Sequence, residues 1–175
     1  MMAPADIPVI TTDRLILRGP DARDIVPFVA HFLSDRSRFT GGPLPQHRAW
    51  IAFAAELGHW ALHGFGMWTV TWKEDADHPI GLVGCWYPEP WPECELGWLV
   101  WPEAEGQSVA FEATQAARGT AYDRFGWTTA VSYIDPGNAR SIRLAERLGA
   151  VRDDAAERPS PEDLVYRHPA PEALR

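Results

Sequence analysis

Cysteine is scarce: Cys85 and Cys94 are the only two among 175 residues. Two thiols cannot build a disulfide framework, and their spacing matches no zinc pattern. No apolar run approaches the roughly 20 residues that a membrane helix needs. The opening Met1-Met2-Ala3-Pro4-Ala5-Asp6 lacks the basic and apolar regions of a signal peptide, so a cytoplasmic protein without a membrane partner is expected. Positive charge is in deficit. A formal net charge of −8 disfavours a sequence-independent grip on nucleic acid and is compatible with a cationic amine as substrate. The six histidines show no ligand pattern. His59 and His63 stand four apart on one helix, but no third ligand is evident and no metal is expected.

What the chain has in quantity is apolar and aromatic surface. Hydrophobic residues make up 46% and tryptophan occurs nine times, which argues for a packed globule rather than disorder. The length suits a single domain over residues 1–175 with one sizeable core. Clear helical periods argue against a tryptophan-rich all-strand carbohydrate-binding module.

Local patterns order the elements. Leu15-Ile16-Leu17 reads as a short strand. A helix is expected from a cap at Asp24 to about Leu33, with Pro27 in its first turn and Ile25, Phe28 and Phe32 on one face. Trp50, Phe53, Leu57 and Trp60 mark a second helix ending near Gly64. Met67-Trp68-Thr69-Val70-Thr71-Trp72 and Ile80-Gly81-Leu82-Val83-Gly84-Cys85-Trp86 read as strands joined by a polar turn over residues 73–79. A Pro-rich loop around Trp91 follows. Weak final strands flank Pro159-Ser160-Pro161. Strands in runs with interleaved helices imply a mixed α/β sheet with helices on both faces.

The stretch from Glu95 to Gly149 carries the most chemistry. The strand Glu95-Leu96-Gly97-Trp98-Leu99-Val100-Trp101 leads into the turn Pro102-Glu103-Ala104-Glu105-Gly106-Gln107-Ser108 and a helix continuing from Val109-Ala110. Val109, Ala113, Ala117, Ala121 and Phe125 repeat at i+4 and form its packed face. Small residues at a helix mouth leave N–H donors uncovered, and with the helix dipole they suit a phosphate. After a strand over residues 128–134, Asn138-Ala139-Arg140-Ser141 opens a second helix that stops at Gly149. Two helix mouths after two strands suggest one extended anionic ligand.

This arrangement resembles the GCN5-related N-acetyltransferase (GNAT) family, in particular its ribosomal-protein-acetyltransferase-like branch. The match rests on Thr12-Asp13-Arg14-Leu15-Ile16-Leu17-Arg18, Glu95-Leu96-Gly97-Trp98, Glu112-Ala113, Asn138-Ala139-Arg140-Ser141 and Glu146-Arg147-Leu148-Gly149. In the phosphate turn Glu105 stands where the family has Arg or Gln, and Ser108 replaces a glycine. The resemblance implies a mostly antiparallel sheet splayed between two parallel strands. It implies acetyl-CoA as cosubstrate, a primary amine as acceptor, and a monomer or homodimer. A non-catalytic acyl-coenzyme A-binding or protein-interaction member of the same fold is the alternative.

The resemblance also distributes roles. The pantetheine arm would pair with backbone at Trp98, Leu99 and Val100, and an N–H of Val100 or Leu99 would polarise the thioester carbonyl. Glu105, Gly106, Gln107, Ser108, Val109 and Ala110 would hold the diphosphate, with Asn138 and Ser141 at the second helix mouth. Arg143 or Arg140 would reach the 3′-phosphate, or else join a solvated face with Arg147 and Glu146. Glu95, with Glu93 as alternate, is the candidate base. Ser141 is the candidate proton donor to the leaving thiolate, because Ala145 occupies the position where some members carry a tyrosine. Trp91 either packs its loop or walls an acceptor pocket.

Overall fold

The computed structural model describes residues 7–174, so the opening segment of residues 1–6 lies outside the described residues. Strand-forming runs pair into one sheet of β1 (Ile10–Thr11), β2 (Leu15–Arg18), β3 (Met67–Trp72), β4 (Asp75–Trp86), β5 (Glu95–Val100), β6 (Val131–Ile134), β7 (Val151–Arg152) and β8 (Leu164–Arg167). Their order is β1-β2-β3-β4-β5-β6-β8-β7, and every neighbouring pair is antiparallel except β5–β6. The fold is thus the mixed α/β sheet with two parallel strands expected above.

Among the described residues four α-helices cover it: α1 (Ile25–Leu33), α2 (Gln46–His63), α3 (Val109–Asp123) and α4 (Ala139–Arg147). The small face Val109, Ala113, Ala117 and Ala121 of α3 is buried against Leu15, Val70, Val83 and Leu96. Small side chains let that helix lie close to the sheet. Phe28, Phe32, Ala49 and Phe53 from α1 and α2 pack with Met67, Leu82 and Trp101 in a separate cluster. Phe125 lies past the end of α3 and packs at its margin.

Several local expectations shift. Asp24 is the N-cap residue of α1 but its side chain does not cap it. Instead the buried carboxylate takes two bonds from Arg18 at 2.8 and 2.9 Å and one from Thr69 at 2.7 Å. The buried face of α2 runs through Ala49, Phe53, Glu56 and Trp60, while Trp50 is 55% exposed. Phe53 and Trp60 are buried as expected and Leu57 packs at the margin, whereas Trp50 yields its place to Ala49, because alanine and glutamate give weak apolar signals. The β3–β4 turn is also tighter than residues 73–79: β4 already begins at Asp75. Pro79 then sits in the strand opposite Thr71, where the register shifts, and a bulge spares the N–H that proline lacks. β6 starts at Val131 rather than at residue 128.

Gly64 and Gly149 end α2 and α4 with φ of +75° and +81°, a region that an L side chain enters only with strain. Among the described residues no helix is long and apolar enough to cross a membrane.

Candidate active site

β5 and β6 form a fork. Their ladder holds the single pair Glu95–Val131, where the Val131 N–H donates to Cys94 O at 3.1 Å. One residue on, the Ser132 hydroxyl rather than a main-chain amide donates to Leu96 O at 2.6 Å. Ser132 Oγ in turn lies 3.0 Å from His168 Nε2, and His168 Nδ1 lies 3.3 Å from the Arg118 guanidinium. Since the serine proton goes to Leu96, the imidazole must donate through Nε2 and accept from Arg118 through Nδ1. Burial, then Arg118, pushes His168 down to about 3, so the ring is neutral as that chain of donors requires. Arg118, His168 and Ser132 are all buried.

Beyond this pin the strand edge is open. Trp101 N–H donates back to Ile80 O on β4 at 2.8 Å. Alternation along a strand then turns the Gly97 and Leu99 main-chain groups toward β4, and those of Trp98 and Val100 toward the fork. That edge runs into a cleft of about 960 Å³ bounded by the N-termini of α3 and α4.

At the mouth of α3 the first intrahelical bond is from Glu112 N–H to Ser108 O at 3.1 Å. The amides of Val109, Ala110 and Phe111 therefore have no main-chain acceptor. Ser108 has φ +61°, the one non-glycine residue at positive φ among the described residues. The turn is clamped from outside: Glu112 takes the Thr12 hydroxyl at 2.6 Å and Arg14 Nε at 2.8 Å, and Arg14 donates to Gln107 O at 3.0 Å. The opening strand motif and the Glu112-Ala113 motif thus meet, about a hundred residues apart in sequence, to hold this helix mouth.

The cleft is strongly basic although the chain is acidic. Arg36, Arg38, Arg140, Arg143 and Arg147 all line it. Among the described residues Glu105 is its one lining carboxylate, and Arg36 and Arg140 hold it, the latter at 3.0 Å from both oxygens. Arg147 donates to the Ser108 hydroxyl at 3.1 Å and lies over the Phe111 ring at 4.1 Å. Arg143 is exposed and has no ion-pair partner among the described residues. His31 on α1 lines the same cleft, packs on Trp101, and has both ring nitrogens buried without a partner. Burial, then Arg36, pushes it down to about 4.

At the mouth of α4, Asn138 Oδ1 accepts from Ser141 N–H at 3.2 Å, which makes it a cap. The Ser141 hydroxyl accepts from the Trp98 indole at 3.0 Å. An indole only donates, so the serine proton stays free to be given elsewhere.

Glu95 sits apart, at the closed end of the fork. It is half-buried and its Oε2 accepts from Trp91 Nε1 at 2.7 Å. Burial pushes its carboxyl up to about 7 against the opposing effect of the Trp91 and Tyr133 hydrogen bonds. The alternate Glu93 is instead clamped by Arg167 through two bonds of 2.8 Å.

The structure therefore brings Trp98, Leu99, Val100, Glu105, Gly106, Ser108, Val109, Ala110, Asn138, Ser141 and Arg143 to one cleft. It does not bring Gln107, whose side-chain amide turns back to Glu103 O at 2.9 Å, and Glu95 is not in the cleft wall. Sequence reading missed Arg36, Arg38 and His31. They lie some 70 residues before the phosphate turn, in a run with no helix-mouth or strand signal. Only their clustering as Asp35-Arg36-Ser37-Arg38 offered a hint. Among the described residues no group of three or more His, Cys, Asp or Glu is placed to hold a metal.

Against known proteins, the profile of the acetyltransferase (GNAT) domain matches residues 14–151. An acetyltransferase from Agrobacterium tumefaciens is 37% identical, superposes with a TM-score of 0.89, and is matched over 93% of this chain and 95% of its own. A GNAT-family acetyltransferase from Bacillus anthracis shares the fold at 16% identity and a TM-score of 0.71, over 92% and 96% of the two chains. So does RimL, a ribosomal L7/L12 α-N-protein acetyltransferase solved with coenzyme A, at 15% identity and a TM-score of 0.70, over 92% and 96%.

Proposed function

Because this chain belongs to the acetyltransferase (GNAT) domain family, we propose that it moves an acetyl group from acetyl-CoA directly to a primary amine, on a small molecule or a protein N-terminus. The observation that carries this reading is the open edge of β5 running into the uncovered amides of α3 within a ring of arginines. The donor set fits the coenzyme: amides and guanidiniums for its phosphates, a strand edge for its amide-bearing arm.

Bound acetyl-CoA supplies an activated thioester. The protein supplies positioning, a donor for the carbonyl oxygen, and two proton transfers. Strand alternation selects the Val100 N–H over that of Leu99 for the carbonyl, because Leu99 turns toward β4. Glu95, about 16 Å along β5 from Val100, takes through a chain of waters, rather than directly, the proton that the acceptor nitrogen loses as the C–N bond forms. As the C–S bond breaks, the Ser141 hydroxyl gives its proton to the sulfur. A base whose proton leaves near neutrality is matched to this work.

A thermal shift with acetyl-CoA, followed by thiol release across an amine panel, tests the assignment. Stabilisation and amine-dependent release are expected. Glu95→Gln is expected to lower kcat/KM by about 10²-fold or more and Ser141→Ala by about 10-fold. Glu95→Gln with full activity and an unchanged pH profile sinks the base. Stabilisation by the coenzyme without turnover on any amine would favour the non-catalytic reading, for which Glu105 and Ser108 in the phosphate turn and the buried Ala145 speak.

A further inference from the structure

The Pro-rich loop between β4 and β5 has two anchors, and they differ in kind. Glu93 is fixed by Arg167, which also bonds Asp153 and Thr129 at 2.8 and 2.9 Å. Trp91 is fixed by one side-chain bond, from its indole N–H to the carboxylate of Glu95, four residues on at the start of β5. Its main-chain N–H closes a turn onto Pro88 O at 2.8 Å. The loop thus arches back and lays its indole on the strand that follows. The same indole meets Tyr133 of β6 in a T-shaped contact, with ring centres 6.5 Å apart and planes at 83°. Trp91 therefore bridges the two strands at the point where they part.

We propose that Trp91 is a positioning residue for Glu95: its indole N–H stabilises the ionised carboxylate and sets the oxygen that takes the acceptor's proton. This rests on the reading of Glu95 as the base. An indole cannot accept, so it favours the carboxylate over the carboxylic acid and opposes the rise that burial imposes. Of the other groups facing Glu95, the Tyr133 main-chain N–H acts in the same sense as the indole and is left in place when the Trp91 side chain is changed; the remaining side chains do not act in that sense. Tyr133 stays protonated, pushed up to about 12 by burial and then by Glu93. Asp163, before β8, repels a second negative charge. Trp86, opposite Glu95 in the β4–β5 ladder, stacks on His59 of α2. Burial holds His59 below its usual range, and its two nitrogens are engaged by Phe65 O and Tyr87 N–H.

The test is the pH profile of kcat/KM in Trp91→Phe, which keeps a ring and removes the N–H. The rising limb is expected to move up by about one pH unit, a loss of about fivefold near pH 7 that vanishes well above the new limb. In a Glu95→Gln background the same substitution is expected to have no further effect on the profile. An unmoved limb with a lowered melting temperature would reduce Trp91 to loop packing and overturn the proposal. If Trp91→Phe does not fold, direct titration of Glu95 by carbon NMR in Trp91→Met, which likewise has no N–H to give, takes its place, an unshifted Glu95 again being the adverse result. Retention of the limb in Glu95→Gln alone would instead remove the base itself, a failure of the underlying reading rather than of this step.

Discussion

At its closed end the fork between β5 and β6 is held by a buried relay from Arg118 through His168 and Ser132 to Leu96 O, without a carboxylate. At its open end the same cleft is ringed by exposed guanidiniums, with Arg140 75% and Glu105 33% exposed in their side chains. The relay at the closed end is buried and, but for Arg118, neutral. The open end is wet and charged. Buried hydrogen bonds are costly to leave unmade, whereas surface ion pairs contribute about 0–1 kcal/mol each. One end is therefore built to fix geometry, and the other leaves its charges available to a ligand.

Ser132→Ala attacks this contrast where it is strongest. It strands both Leu96 O and the His168 N–H, and urea unfolding is expected to show a loss of about 2–4 kcal/mol that added salt does not change. Leaving Leu96 O unpaired is also expected to loosen the fork, read as weaker coenzyme binding at unchanged ionic strength.

Acid makes the next largest difference. His168 binds protons more weakly folded than unfolded, so its contribution is complete above about pH 6.5 and is lost as pH falls toward 3, roughly 2 kcal/mol by about pH 5. Two glutamates act in the opposite sense. Burial pushes Glu56 up to about 8 and Glu95 to about 7, so each withdraws stability as pH rises from about 4.5 through those values. His168→Gln is expected to lose less stability than the parent as pH falls from about 6.5 to 5. Glu56→Gln is expected to gain stability on the order of a few kcal/mol near pH 8 and none near pH 4.5. Chemical denaturation at several pH values reads both slopes.

The open end answers to affinity rather than stability. Arg143→Ala is expected to weaken acetyl-CoA binding about 5–10-fold, measured by calorimetry, with a change in unfolding free energy within about 0.5 kcal/mol. Arg147→Ala is expected to lose less, since that guanidinium is already engaged by Ser108 and Phe111. Raising salt is expected to shrink the difference. Smallest of all, Ser108→Gly relieves a left-handed backbone and is expected to raise stability by up to about 1 kcal/mol in the melting curve, less whatever the Arg147 contact contributes.

Legibility followed the range of the interaction. Gly64 and Gly149 as helix ends and Asn138 as a cap were readable, because each depends on a few neighbouring residues. The α3 face was readable because small residues recur at one period. On α2, Phe53 and Trp60 were readable as buried, but Trp50 is exposed and Glu56 is buried without a periodic signal to say so. Trp91 had two readings in sequence, and neither contained a bond to Glu95.

Strand alternation, helix mouths and the fork's two flanking runs follow from residues within a window of about ten, so the chain alone carried them. The motifs carried the family as well. The meeting of Arg36 with Glu105, of Thr12 and Arg14 with Glu112, and of His168 with Ser132 could arise only from packing. Each joins residues at least 36 positions apart in sequence, the nearest being His168 and Ser132. Charge shows the division most plainly. The net charge of −8 is a property of composition, whereas the basic cleft exists because folding gathers five arginines from two distant segments around one helix mouth.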